Sequence, residues 1–179
     1  MKAVCNAGPL IALGKLDLVF VLRHLYDKIW CPSAVYEEVV VQGLDLGHPD
    51  AYVVERAVRR GLIVVKEVPP EGISEVVQSL PIGRGEKQTI HLALVESADW
   101  VLMDDLLARE KAEKLGLRVK GTLGVIVDAY RRQVISLGDV ELAFHSIMER
   151  EDIWIAKPLV QRVWNALRRA SEHDSPSHG

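Results

Sequence analysis

Short apolar runs that end in a turn and hand over to a helical stretch recur along this sequence. Ala3-Val4-Cys5, Lys28-Ile29-Trp30-Cys31, Leu62-Ile63-Val64-Val65 and Trp100-Val101-Leu102-Met103 have the length and β-branched or aromatic content of buried strands. Arg118-Val119-Lys120 is a weaker fifth run. Between them lie helix signals. Asn6 is suited to an N-cap and Pro9 to a first turn, for a helix through Leu10-Ile11-Ala12-Leu13 that ends near Gly14. Leu16 to Leu25 predicts a second short helix, and Pro32-Ser33 opens one with Val35, Val39 and Val40 on one side. A helix from about Asp50 to Arg60 stops at Gly61, a residue that fits the C′ position. Pro69-Pro70-Glu71-Gly72 is a loop before a short helix, and Pro81-Ile82-Gly83-Arg84-Gly85 opens a strong one. Further helices are expected after Asp104-Asp105, from Thr122, from Asp139 and from Pro158 to Ala170. Strands alternating with helices predict an α/β fold: a parallel sheet with helices on both faces. Sites in such sheets form beyond the carboxyl ends of the strands, which singles out Asn6, Asp104 and Asp105.

The 179 residues suffice for one domain, expected over residues 1–170, with a polar, disordered tail at 171–179. At 49% hydrophobic and 26% charged the chain is neither disordered nor fibrous. The formal net charge of -3 excludes a generally basic nucleic-acid binder, so contacts with RNA or DNA must come from local arginines or a bound metal. Two cysteines, Cys5 and Cys31, are too few for a disulfide scaffold and lack zinc-site spacing. They read as small buried residues of a cytoplasmic protein, and a bridge between them would require their strands to be neighbours. Asn6, Pro9, Lys15 and Asp17 interrupt any signal-peptide pattern, and no apolar run reaches the length of a membrane span.

The acids carry the chemistry. Asp104-Asp105 follows a run that is buried by its composition; one acid suffices to cap the next helix, and two are more than a cap requires. Glu86 opens its helix after Gly83-Arg84-Gly85, where an acid also compensates the helix dipole. The two glycines allow close approach of a phosphate, although no Lys-Ser/Thr follows as a P-loop requires. Of Glu37 and Glu38 one must point nearer the strand ends; Glu38 is the choice, although periodicity does not separate them. Asp128 reads as a surface residue, and the six histidines show no ligand spacing. Carboxylates and water suit hard Mg²⁺ or Mn²⁺, ions that acidify an attacking water and stabilise charge on a leaving oxygen. Arg84 and Arg109 stand beside these acids as candidate phosphate contacts, with surface ion pairs as the simpler use.

Five stretches taken in order resemble a PIN domain, the VapC-like or PilT N-terminus family. They are Asn6-Ala7-Gly8-Pro9-Leu10-Ile11-Ala12-Leu13, Pro32-Ser33-Ala34-Val35-Tyr36-Glu37-Glu38-Val39, Gly83-Arg84-Gly85-Glu86, Leu102-Met103-Asp104-Asp105 and Gly121-Thr122-Leu123-Gly124. The likeness covers roughly residues 1 to 135 and is closer to a prokaryotic subfamily than to the toxins proper. It implies a three-layer α/β/α fold around a central parallel sheet of four to five strands, and a Mg²⁺- or Mn²⁺-dependent ribonuclease. The family's acids fall on Asn6, Glu38, Glu86 and on Asp104 or Asp105, and this set is the expected catalytic and metal-binding site. Asn6 departs from the pattern because an amide offers an oxygen but no negative charge. The resemblance further implies an RNA substrate, a homodimer and, for a VapC-like toxin, a small antitoxin protein; no membrane partner is expected.

Three functions compete on these residues. The first is a metal-dependent ribonuclease. The second is a PIN-like binding or scaffold protein impaired in catalysis by Asn6. The third is a phospho-acceptor domain, which is disfavoured because its acid pair should follow the first strand and here follows a late one. The C-terminal apolar set Leu159, Val160, Val163, Trp164 and Leu167 suits packing on the core or on another chain.

Overall fold

The structure, a computed structural model, describes residues 1–173. Its strands are β1 (Lys2–Cys5), β2 (Lys28–Pro32), β3 (Val64–Lys66), β4 (Trp100–Leu102) and β5 (Val119–Lys120). The helices are α1 (Ala7–Lys15), α2 (Leu22–Leu25), α3 (Ser33–Tyr36), α4 (Gly43–Asp45), α5 (Pro49–Arg59), α6 (Glu75–Gln78), α7 (Arg84–Val95), α8 (Leu106–Lys114), α9 (Thr122–Arg131), α10 (Leu137–Glu149) and α11 (Lys157–His173). A π-helical stretch, Glu37–Gln42, joins α3 to α4. The five strands form one parallel sheet in the order β3-β2-β1-β4-β5.

Strand alternation explains the three layers. Successive side chains point to opposite faces, so Ala3 and Cys5, Ile29 and Cys31, and Leu102 enter one apolar cluster. Val4, Trp30, Val101 and Met103 enter another. The first cluster takes its helical partners from α1, α2, α5, α9, α10 and α11, among them Leu13, Leu22, Val54, Ile126, Ile147 and Val160. The second is closed by Val77, Ile90, Ala93, Ala108 and Ala112 from α6, α7 and α8. Each fully buried aliphatic side chain stabilises the fold by about 1.5–3 kcal/mol before entropy is counted. The three inner strands, β2, β1 and β4, are therefore apolar on both faces, as parallel sheets require.

Several local expectations shift. α1 ends at Lys15, one residue past Gly14; a Cβ on Gly14 would stand 3.0 Å from the Cβ of buried Asp50, so the glycine also serves close approach of α5. Leu16 to Leu25 divides into a 3-10 turn, Val19–Val21, and α2. The third strand begins two residues later than its apolar run. Gly61 has φ +72°, and the N–H groups of Leu62 and Ile63 turn back to the Ala57 carbonyl at 2.9 and 3.4 Å, which ties them to the end of α5. Asp139 is not the start of α10 but its third residue, which forms a capping box with Ser136. Asp128 is paired with Lys120 and half-buried, not a plain surface residue. Cys5 and Cys31 lie on neighbouring strands, free and buried; desolvation pushes the Cys31 thiol up to about 12, and Cys5 is raised further.

The C-terminal helices pack onto α9. Val160 and Leu167 are buried in the first cluster, and Phe144 meets Trp164 edge to face with ring centroids 6.1 Å apart. They join the core. No helix among the described residues is long and apolar enough to cross a membrane. Residues 171–173 of the expected tail belong to α11, and residues 174–179, with His178, lie outside the described residues.

Candidate active site

Asn6 directly follows β1, and its backbone N–H donates to the Leu102 carbonyl at 2.9 Å, extending the ladder past the strand end. It occupies the N-cap position of α1, yet its side chain makes no capping bond. The amide, 3% exposed, turns away from the helix: Nδ2 donates to Glu86 Oε1 at 3.4 Å. The opposite amide orientation would set two oxygens against each other, so Oδ1 faces Thr89 Oγ1, 3.3 Å away. Thr89 has one hydroxyl proton, and the Gly85 carbonyl at 2.8 Å takes it in a back-bond along α7. Asn6 Oδ1 thereby keeps acceptor capacity.

That oxygen meets Glu38 over Gly85. A Cβ on residue 85 would stand 3.6 Å from Asn6 Oδ1 and 3.5 Å from Glu38 Oε2, so the glycine leaves open a cradle that a side chain would fill. Glu37, its neighbour, goes elsewhere. It pairs with Arg84 at 3.2 Å, both at the surface. Contacts thus separate two glutamates that periodicity could not. Glu86 stands in the first turn of α7 and folds back against Gly83, where a Cβ would collide with its carboxylate. Glu38 is exposed along its length, but partial loss of water at its carboxylate raises its pKa, and the Glu86 charge raises it further. No Lys, Arg or His among the described residues pairs with Glu38 or Glu86.

Asp104, beyond β4, is bound differently. Thr122, fully buried, donates its backbone N–H to Oδ1 at 2.7 Å and its hydroxyl to Oδ2 at 2.6 Å. Gly8 lies under the carboxylate, where a Cβ would stand 3.4 Å from Oδ2. Gly121 lets Arg109 approach: a Cβ there would lie 2.8 Å from Arg109 Nη1 and 2.9 Å from Asp104 Oδ1. Burial raises the Asp104 pKa and outweighs the Thr122 bonds and the Arg109 charge, which lower it. Arg109 thus offsets an internal charge, and Arg84 is engaged by Glu37. Asp105 is exposed, and its Oδ1 caps α8 by accepting from Ala108 N–H at 2.8 Å.

The chain therefore brings together Asn6, Glu38 and Glu86, holds Asp104 at the adjacent strand end, and leaves Asp105 out. Among the described residues no three His, Cys, Asp or Glu side chains form a metal-sized cluster. The convergent set has two carboxylates and one amide. It is all oxygen, and its two acids repel each other with no protein cation between them. That donor set fits one hard divalent ion. Sequence reasoning missed Thr122, Thr89 and Gln88. Thr122 follows the fifth strand as Asp104 follows the fourth, so the carboxyl-end rule applied to Lys120-Gly121-Thr122 points to it. Thr89 sits one turn after Glu86. Nothing local marks Gln88, which is 1% exposed and spans Ala34 N–H (2.9 Å) and the Val68 carbonyl (2.8 Å).

The Glu38 shift has a sign that can be checked. Glu86→Gln removes the second cause of the rise and leaves burial, so the Glu38 pKa falls but stays above the ordinary value. A carboxyl NMR titration of Glu38 in both proteins reads this directly. Because the folded pKa lies above the unfolded one, the stability linked to Glu38 is fully present below the unfolded pKa. It is lost as pH rises through the folded pKa. The substitution narrows that window from above.

A family model described as a PIN domain matches residues 2–172, nearly the whole chain. A search of the curated proteins finds no match. PIN domains are nuclease-type folds that generally depend on divalent metals, and the five-stranded parallel sheet between helical layers is consistent with that architecture. The chain belongs to the PIN-domain family.

Proposed function

We propose that this chain is a divalent-metal-dependent endoribonuclease, with Glu38, Glu86 and Asn6 holding Mg²⁺ or Mn²⁺ and Asp104 assisting from the next strand. The observation that carries this reading is the approach of Glu38 and the Asn6 amide oxygen over Gly85, with Glu86 bound to the same amide and its charge felt by Glu38, while no Lys, Arg or His among the described residues pairs with either carboxylate. When bound, the ion acidifies water and offsets charge on the scissile phosphate. Glu38 and Glu86 supply the negative charge that retains it. Asp104, fixed by Thr122, presents a carboxylate of set orientation at the edge of the same strand ends. Incubation of single-stranded RNA with the protein and Mn²⁺ tests the reading. Cleavage is expected with Mn²⁺, absent with EDTA, strongly reduced by Asp104→Asn and nearly unchanged by Asp105→Asn, because Asp105 only caps α8. Metal-independent cleavage would refute it. A VapC-like toxin role, a small antitoxin and a homodimer extend the same proposal; growth arrest on expression, relieved by a co-expressed small partner, would support the toxin role.

Asn6 favours a second reading, a PIN-like nucleic-acid-binding or scaffold protein without turnover. Asn6→Asp separates the two. It adds the charge the site lacks, so Mn²⁺ affinity by calorimetry rises on the order of tenfold, as one more ligand charge implies. It also lowers the thermal midpoint without metal, because a buried charge beside Glu86 is costly. Unchanged or weaker Mn²⁺ binding would remove Asn6 from the metal site.

A further inference from the structure

A second cleft opens at the opposite end of the sheet. Its volume is about 470 Å³, within the range of small-molecule sites, and it lies between the Val19–Val21 turn and the end of α5. Arg23, Arg56 and Arg60 line it, from two separate elements, over an apolar floor that includes Ile29 and Leu62. Phe20, 42% exposed, lines it too. None of the three arginines is ion-paired to a carboxylate among the described residues; the ion pair of α5 uses Arg59 and Glu55. Of the two acids lining the cleft, Asp27 is paired with the amino group of Met1, whose hydrogen bond and charge hold its carboxyl below the usual range. Only Asp17 remains against three guanidinium groups.

We infer that this cleft binds a nucleoside phosphate, its phosphate held by Arg23, Arg56 and Arg60 and its base laid on Phe20. Three arginines around one opening give a concentrated positive charge in a chain whose net charge is -3. Guanidinium groups match phosphate oxygens bidentately. The apolar floor and the exposed ring suit a flat base, and stacking on an aromatic side chain is sequence-tolerant. Ile29 lies at the start of β2 and Leu62 precedes β3, so the cleft is at the amino ends of the strands. Asn6 and Asp104 are at the carboxyl ends. A strand of four or five residues separates the two by roughly 15 Å. The proposal therefore stands apart from the nuclease reading. The nucleoside phosphate is either a free nucleotide or the 5′ end of an RNA strand.

Calorimetry with adenosine 5′-monophosphate, adenosine and a 5′-phosphorylated adenine trinucleotide decides it. The measurements use wild type, Arg56→Ala/Arg60→Ala and Glu38→Gln/Glu86→Gln, with EDTA present so that RNA stays whole. The monophosphate is expected to bind wild type and the glutamine variant alike. The arginine variant, with unchanged circular dichroism, should bind at least tenfold more weakly, and adenosine should bind far more weakly than its phosphate. Binding of the trinucleotide in place of the free monophosphate would assign the site to an RNA end and support the proposal equally. Failure of both phosphates to bind wild type, or equal binding to wild type and the arginine variant, would overturn it. If the arginine variant loses its fold, Phe20→Ala and Arg23→Ala serve in its place, with the same weakening expected and the same equality overturning the proposal.

Discussion

On the proposed function, replacing Glu38 and Glu86 together by Gln is expected to lower RNA cleavage by a factor on the order of one hundred or more, while the thermal midpoint stays equal or rises. The activity loss follows from charge. Residues that only orient metal ligands already cost about 10–100-fold when changed, and these two would be ligands themselves. The stability gain follows from the same geometry. Glu38 ionises reluctantly because its carboxylate is partly desolvated and faces Glu86, so removing both charges relieves a repulsion that folding imposes. Activity and stability moving in opposite directions is the mark of a site kept for function. Cleavage assays and thermal melts of one preparation check both halves. A parallel fall in activity and midpoint would show that the pair holds the fold together.

Gln88→Leu is expected to cost about 2–4 kcal/mol, read by urea unfolding. The side chain has similar volume, but the Ala34 N–H and the Val68 carbonyl lose their partner inside the protein. Each unsatisfied buried group costs about 1–3 kcal/mol. At this chain length that corresponds to a fall of several degrees in midpoint. Gln88 links α7 to α3 and to the segment after β3, so it also fixes the spacing of Glu86 and Glu38 across Gly85. The variant should therefore lose cleavage even at temperatures where it is fully folded. A loss below about 0.5 kcal/mol, the level of ordinary surface substitutions, would contradict this.

The sheet was legible because its strands are short, apolar on both faces and separated by helices with recognisable ends, such as Gly61 and Gly116, both with positive φ. Boundaries failed where long-range contacts decided them. Leu62 and Ile63 have strand composition, yet bond to the helix they follow. Three residues of the proposed site could be named from position: Asn6 and Asp104 by the carboxyl-end rule, Glu86 by its place in the first turn of a helix. Periodicity could not choose Glu38 over Glu37, because a π-helical stretch breaks the 3.6-residue spacing there. It could not separate Asp104 from Asp105 either. That distinction depends on Thr122, eighteen residues along the chain, which engages one aspartate while α8 takes the other.

Titration of Mn²⁺ into wild type and into Glu38→Gln/Glu86→Gln, followed by the electron paramagnetic resonance of the free ion, tests the central claim most directly. Wild type is expected to bind the ion with an affinity that falls as pH drops through the raised Glu38 pKa, because the ligands must be deprotonated. The double variant should show no saturable binding. Equal Mn²⁺ binding by the two proteins would place the metal elsewhere and contradict the account.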